Sequence, residues 1–298
     1  MSRFMLQWMI TSQDEGQLIR EFLKQHEISK AALTDIKFKG GKIAVNDEEV
    51  TVRYPLKKGD VLKILFPQEE PSEGVKGENI PLSIVYEDEY VLVINKPAGM
   101  NSIPSREHPN GSLANGIVGH YKKIGLQATA HIVTRLDRDT SGLVLVAKAR
   151  HVHYLLSKLQ KEVGVKRTYQ ALVAGHFNQE NGTIIAPIAR KSSSIIEREV
   201  NPLGQYACTH YHVLRTFPSM THIELRLETG RTHQIRVHMA HIGHPLLGDD
   251  LYGGCISTIR RQALHCCRIS FHHPVLKKTM EFAVKLPEDM SNLIVANS

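Results

Sequence analysis

Between His131 and Leu143 the chain reads HIVTRLDRDTSGL. One carboxylate, Asp137, stands between two arginines, Arg135 and Arg138. The segment then turns through Asp139, Thr140, Ser141 and Gly142 into the apolar run Leu143-Val144-Leu145-Val146-Ala147. A carboxylate on a loop that feeds a buried strand is held firmly and still faces outward. Flanking guanidiniums favour its ionised form, as a nucleophile or base requires. They also suit a substrate whose backbone carries phosphates. Taken alone, the stretch equally fits an exposed acidic turn with a surface ion pair, so its chemistry depends on what other segments bring to it.

Three other segments have the same look of apolar strand meeting polar loop. They are Asn95-Lys96-Pro97-Ala98-Gly99-Met100, Lys166-Arg167-Thr168-Tyr169-Gln170-Ala171-Leu172-Val173-Ala174-Gly175, and Leu227-Glu228-Thr229-Gly230-Arg231-Thr232-His233-Gln234-Ile235-Arg236-Val237-His238. With the Asp137 loop they resemble, in order and over residues 81–287, the RluA/RluD family of pseudouridine synthases, which isomerise chosen uridines in structured RNA. One departure is visible: the family usually has His before its Arg-Leu-Asp, and this chain has Thr134.

The resemblance implies a role for each matching residue. Asp137 aligns with the catalytic aspartate. Three chemistries have been proposed for that aspartate: attack on carbon six of uracil, attack on the anomeric carbon, or action on the ribose as a base; all three stay open. Tyr169 matches the active-site tyrosine, whose ring can stack on uracil and whose hydroxyl can assist a proton transfer. Arg135 matches an arginine that helps fill the gap left by a flipped nucleotide. Arg236 is the expected ion-pair partner of Asp137, with Arg231 as the alternative. Arg231, Arg138 and Lys96 are expected to face RNA, Lys96 either on phosphate or as a structural residue at the site's edge.

The reaction is an isomerisation, so no cofactor is expected, and the chain carries neither a Walker A loop nor a G-x-G-x-x-G. Two histidine-rich stretches, His233/His238/His241/His244 and His265/Cys266/Cys267/His272/His273, lack zinc-ligand spacing, and no metal is expected. RNA is the expected partner, ribosomal first and transfer RNA second. The competing class is a noncatalytic RNA-binding or ribosome-assembly protein on the same fold, with a metal-dependent RNA hydrolase behind it. A net charge of +7 is compatible with RNA without requiring it. Four cysteines without a C-x-x-C pair suit reduced thiols in the cytoplasm. The apolar stretch at the N-terminus is too short and too interrupted for a signal peptide, and no segment is long enough to span a membrane. A monomer is expected.

These residues need elements to hold them. Alternation over residues 4–10 predicts a strand, and residues 15–26 place Leu18, Ile19, Phe22 and Leu23 on one helical face. Ser29 is placed to cap a second helix through Asp35; Gly40-Gly41 stops it, and strands follow at 42–45 and 61–66 about a turn at Asn46-Asp47. This unit, 1–66, resembles the RNA-binding domain of the S-four ribosomal-protein type, with Lys30, Lys37 and Lys39, and beyond them Lys42, Arg53, Lys57 and Lys58, as candidate phosphate contacts. Residues 67–79 read as a linker, 80–290 as the catalytic domain and 291–298 as a tail. In the catalytic domain strands are expected at 90–95, 143–147, 169–173, 209–216 and 222–228. Helices are expected near 113–121 and 151–161, with another beginning near 232. The fold class expected is α+β: a mostly antiparallel mixed sheet with packed helices and a central RNA-binding cleft, preceded by the small α+β domain.

Overall fold

The structure is a computed structural model describing residues 3–70, 72, 74–162 and 164–297. The parts of the expected leading segment, linker and tail at residues 1, 2, 71, 73 and 298 lie outside the described residues. The first unit contains β1 (Met5–Met9), α1 (Ile19–Gln25), α2 (Lys30–Phe38), β2 (Lys42–Val45), β3 (Glu48–Glu49) and β4 (Val61–Leu65). Its strands form an antiparallel sheet in the order β1-β4-β2-β3. Leu6, Ile43, Leu62 and Ile64 from the sheet meet Ile19, Phe22, Leu23 and Ile36 from the helices in a core of their own.

Local chemistry sets the boundaries. The Ser29 hydroxyl accepts from the Ala32 N–H at 3.1 Å and starts α2, which continues to Phe38, beyond the expected end at Asp35. Helix α1 is shorter than its apolar period, because Leu18 is extended and bridges to Pro55 before the helix begins. Asn46 and Asp47 both take positive φ, 51° and 69°, as a tight turn between β2 and β3 requires.

The larger unit runs β5 (Ile84–Glu87), β6 (Val91–Lys96), α3 (Leu113–Lys123), β7 (His131–Ile132), β8 (Ser141–Ala147), α4 (Arg150–Lys161), β9 (Val165–Ala174), β10 (Asn181–Ile185), β11 (Ile188–Arg190), β12 (Arg198–Val200), β13 (Cys208–Thr216), β14 (Met220–Leu227), α5 (Gln234–His241), β15 (Leu264–His272), β16 (Thr279–Ala283) and α6 (Glu288–Ala296). Ten of these strands build one sheet in the order β10-β13-β14-β9-β15-β8-β6-β5, with β16 on β15 and β7 on β8; β11 and β12 pair separately. The fold is therefore α+β. Among the described residues of the large sheet only β8 and β15 run parallel, His265 opposite Ser141 and Cys266 opposite Gly142. Gly142 makes that pairing possible: its φ is 116°, and a Cβ there would strike the Cys266 backbone.

Two expectations need correction. The described part of the expected tail, 291–297, is not free: α6 extends to Ala296, and Leu293 and Ile294 pack against a cluster of Met290, Leu172, Phe217 and Leu247. The end of the expected linker is docked. The Glu78 N–H donates to the Asn115 carbonyl at 2.9 Å, and Asn115 Nδ2 donates to the Lys76 carbonyl at 2.8 Å. Gly119 on α3 leaves no room for even a methyl group against Glu78, which is how the chain lies so close.

The two units also meet. The Phe66 ring stacks on His151 with centroids 5.2 Å apart, and Phe4 packs on Phe66 and Tyr90. Lys158 on α4 pairs with Glu27 at 2.8 Å. Among the described residues no helix is long and apolar enough to cross a membrane.

Candidate active site

Asp137 sits on the loop between β7 and β8, and that loop is tied down on every side. Ser102 Oγ donates to the Leu136 carbonyl at 2.6 Å and accepts the Leu136 N–H at 3.2 Å. Lys96 Nζ donates to the carbonyls of Pro97, Met100 and Arg138 at 2.8, 2.8 and 3.0 Å. Arg261 Nη1 donates to the Asp139 carbonyl, and Gln262 Nε2 to the buried Thr140 hydroxyl. Thr134, where the resembling family has His, is itself buried, and its hydroxyl accepts the Leu145 N–H at 2.9 Å. At this position the side chain completes the edge of β8.

Arg236 lies on α5, which opens with His233 in the left-handed conformation, φ 58°. Its guanidinium holds two carboxylates at once. One fork of Nε and Nη2 grips Asp249 Oδ2 and Oδ1 at 2.8 Å each, and Nη1 reaches Asp137 Oδ2 at 3.4 Å. Asp249 is completely buried. Burial disfavours the Arg236 charge, but the hydrogen bonds and field of Asp249 more than offset it, and the net effect is to raise its pKa. The Tyr252 ring lies under the same guanidinium, 5.0 Å from centroid to Cζ. Tyr252 Oη is bonded to His233 Nδ1 at 2.8 Å, and His233 Nε2 stands 3.8 Å from Asp137 Oδ2. Burial lowers the pKa of His233, and the nearby Asp137 carboxylate opposes that shift.

Tyr169, on β9 between Leu225 and Cys266 of the neighbouring strands, is buried, and burial raises the pKa of its hydroxyl. Its hydroxyl accepts from Arg167 Nη1 at 3.4 Å. Arg167 fills the space where a side chain on Gly230 would start, so the glycine of the fourth segment makes room for an arginine of the third. The Arg167 Nε is buried and, among the described residues, has no hydrogen-bond partner.

Asp137, Arg236, His233, Tyr169 and Arg167 open onto one cleft of about 910 Å³, lined also by Arg135, Arg138 and Arg231. The structure thus brings together Asp137, Tyr169 and Arg236 from widely separated segments. Arg135 is exposed there, and no hydrogen bond or ion pair holds it among the described residues. Arg231 does not pair with Asp137; its Nε donates to the Tyr206 carbonyl at 2.9 Å. Arg138 is half exposed with its guanidinium on Asp139.

Lys96 needs correction as an RNA contact. It is fully buried and its three N–H donors end on carbonyls, so it has no path to a phosphate; it holds the Asp137 loop instead. Burial lowers its pKa to about 7, with the carboxylates of Asp139 and Asp137 pulling the other way. Lys30, Lys37 and Lys39 lie outside the cleft, exposed on α2 and just after it, with Lys39 paired to Asp35 at 2.9 Å.

With this geometry in place, comparison with known proteins is informative. The family model for RNA pseudouridylate synthases matches residues 90–241, which hold Asp137, Arg135, Arg167, Tyr169, His233 and Arg236 but not Asp249, Tyr252, Arg261 or Gln262. The chain belongs to that family. The synthase is 56% identical over 93% of its length to an uncharacterized RNA pseudouridine synthase of Bacillus subtilis, YjbO, of which it covers 98%. It is 38% identical to ribosomal large subunit pseudouridine synthase D of Haemophilus influenzae, over 85% of this chain and 82% of that one. In fold it is similar to human RNA pseudouridylate synthase domain containing 4, with a TM-score of 0.59 at 22% identity over 72% of this chain and 92% of that one.

Sequence reasoning missed four residues of the synthase's site: Arg167 and His233 in the cleft, and Asp249 and Tyr252 behind Arg236. Arg167 lay inside a quoted segment, two residues from Tyr169 and therefore on the same face of a strand. Asp249 and Tyr252 sit in the run Leu246-Leu247-Gly248-Asp249-Asp250-Leu251-Tyr252-Gly253-Gly254. An acid directly after an apolar pair and a glycine was the available signal there.

Proposed function

We propose that this RNA pseudouridine synthase acts on uridines of large-subunit ribosomal RNA, with Asp137 as the group that touches the reacting nucleotide. One observation carries the assignment of Asp137. Arg236 and His233 approach its Oδ2, and among the described residues no hydrogen bond reaches Oδ1. The carboxylate is oriented through one oxygen and open through the other. The names of relatives such as that of Haemophilus influenzae support ribosomal RNA as the substrate.

The conversion breaks the bond from the ribose anomeric carbon to N1 of uracil. The base then turns, the anomeric carbon bonds to carbon five, the carbon-five proton leaves to solvent, and N1 takes up a proton from solvent. Each of the three chemistries proposed for the family's aspartate needs one free carboxylate oxygen against the nucleotide, which Oδ1 supplies. Arg236 balances the carboxylate's charge and fixes its direction, and Asp249 prevents Arg236 from following the substrate. Tyr169 offers a ring for the uracil to stack on. A uridine inside a helix reaches Asp137 only by leaving the stack, at a cost of a few kcal/mol. Arg135, planar, charged and uncommitted at the cleft, is suited to replacing the departed base.

The first unit adds RNA affinity in this reading, with Lys30, Lys37 and Lys39 as its exposed cations. One chain carries every group named around Asp137, which suits a monomer, and four unpaired cysteines suit the cytoplasm. The test is tritium release from RNA labelled at carbon five of uracil, without added cofactor, followed by mapping of pseudouridine in cells with and without the gene. Loss confined to large-subunit ribosomal RNA supports the reading. Loss confined to transfer RNA replaces the substrate, and RNA binding without tritium release removes the catalytic assignment.

A further inference from the structure

Away from Asp137, Cys208, His210 and Glu228 bring a thiol, an imidazole and a carboxylate to one spot, with one ligand atom from each within 4.8 Å of the others. Cys208 and His210 are two apart on β13 and so share a face, while Glu228 directly follows β14, where its N–H bonds the Cys208 carbonyl across the strands. Three donors from two paired strands are positioned by the sheet itself.

The imidazole is aimed as a metal ligand is aimed. Thr183 on β10 bonds His210 Nδ1 at 2.9 Å, which leaves Nε2 facing Glu228 Oε1 at 2.8 Å and Cys208 Sγ at 3.7 Å. A partner on one ring nitrogen that orients the other is the usual second contact of a metal-bound histidine. The Cys208 backbone is fixed as well. Its N–H donates to Thr229 Oγ1 at 3.1 Å, and its carbonyl accepts from Gln234 Nε2 at 2.9 Å. These bonds tie the cluster to the first residue of α5, the helix that carries Arg236.

We propose that Cys208, His210 and Glu228 form a binding site for one zinc ion, with water in the fourth position. A thiolate, an imidazole and a carboxylate match the borderline-soft, tetrahedral preference of zinc, and three protein ligands leave one position open. Binding exchanges the Cys208 thiol proton for the metal–sulfur bond, so one proton is released per ion. The ion takes no part in the isomerisation. Glu228, Thr229 and Arg231 line the cleft, so a bound cation stands at its rim and adds positive charge there.

The test uses the full chain stripped of metal with a chelator and then titrated with Zn²⁺ against a chromophoric competitor. One ion per chain is expected, with affinity rising about tenfold per pH unit below the thiol's pKa. Substituting Co²⁺ should give the intense near-ultraviolet absorption of a cobalt–thiolate bond. C208S should abolish that absorption and the stoichiometric site. E228Q, at a half-exposed position, should weaken binding at least tenfold without affecting folding. C255S is the control, because Cys255 is an exposed thiol outside the cluster. No saturable binding by the parent chain, binding unchanged in C208S, or binding lost in C255S would each overturn the site. None of these readouts depends on turnover, so they are independent of the catalytic assignment.

Discussion

Around Asp137, the cations behind the cleft wall are committed, while Arg135 at its mouth is not. Arg236 is shared between Asp249 and Asp137, Arg261 is held by Asp289 and by the loop carbonyls, and Lys96 ends on three carbonyls. On the first unit, Lys30, Lys37 and Lys39 stand exposed, and the pair between Lys39 and Asp35 is of the solvent-facing kind that contributes about 0–1 kcal/mol. The same residue types therefore do two jobs. In the cleft their positions matter and one lost partner is costly; on the first unit their summed field matters and no single lysine is critical.

The sharpest test of the contrast removes the carboxylate that the cleft is arranged around. D137N should fold normally and bind RNA within about twofold of the parent, while tritium release falls by about 10⁴-fold or more, the scale seen when a reacting group is deleted. Residual release above about one per cent would mean that the cleft's order serves some other group.

Next in size is the anchor behind Arg236. D249N removes one charge of a buried pair, which typically costs about 3–5 kcal/mol, read as a lower midpoint in chemical denaturation. With Arg236 freed, kcat should fall more than KM rises. An unchanged kcat would separate structural from chemical order in the cleft.

The junction between the units gives a pH-dependent test. Burial against Phe4 and Phe66 holds His151 at a pKa of about 4, below its ordinary value of 6.5. Above pH 6.5 both folded and unfolded chains keep it neutral. As pH falls from 6.5 to 4 the unfolded chain gains a proton that the folded chain refuses, so stability declines by up to about 3 kcal/mol. H151F should remove that share of the acid sensitivity and leave the share from His265, which burial likewise lowers to about 4. An identical pH profile in parent and variant would show that the junction opens before it titrates.

The smallest effect belongs to the first unit. Replacing Lys30, Lys37 and Lys39 together with Gln should weaken RNA binding about tenfold at low salt and flatten its salt dependence, with kcat on saturating RNA unchanged. A change in kcat would erase the distinction between the two regions.

What the sequence disclosed and what it hid follow the same division. The Asp137 loop was legible because its residues are neighbours in the chain, and the strands feeding it are apolar runs. Ser29 and the Asn46-Asp47 turn were legible because caps and turns are local. Lys96 was misread because a lysine before proline looks like a loop residue, whereas here it is the last residue of buried β6. Residues 291–298 were read as a tail because the single deeply buried residue of α6, Met290, lies before them and gives no helical period. Asp249 and Tyr252 were hidden because only tertiary structure brings their loop to Arg236. The Cys208 cluster was hidden because its third member arrives across a strand pair, while attention went to histidines that are close in sequence.

Bolted through Leu136, Arg138, Asp139 and Thr140, the peptide carrying Asp137 has almost no travel. In the proposed reaction a fixed reactive group cannot hunt for its target, so adaptation falls on the nucleic acid. Uridines in strands that bend and open cheaply should be chosen over identical sequences locked in rigid duplex, and selectivity then reads the compliance of the RNA as well as its letters.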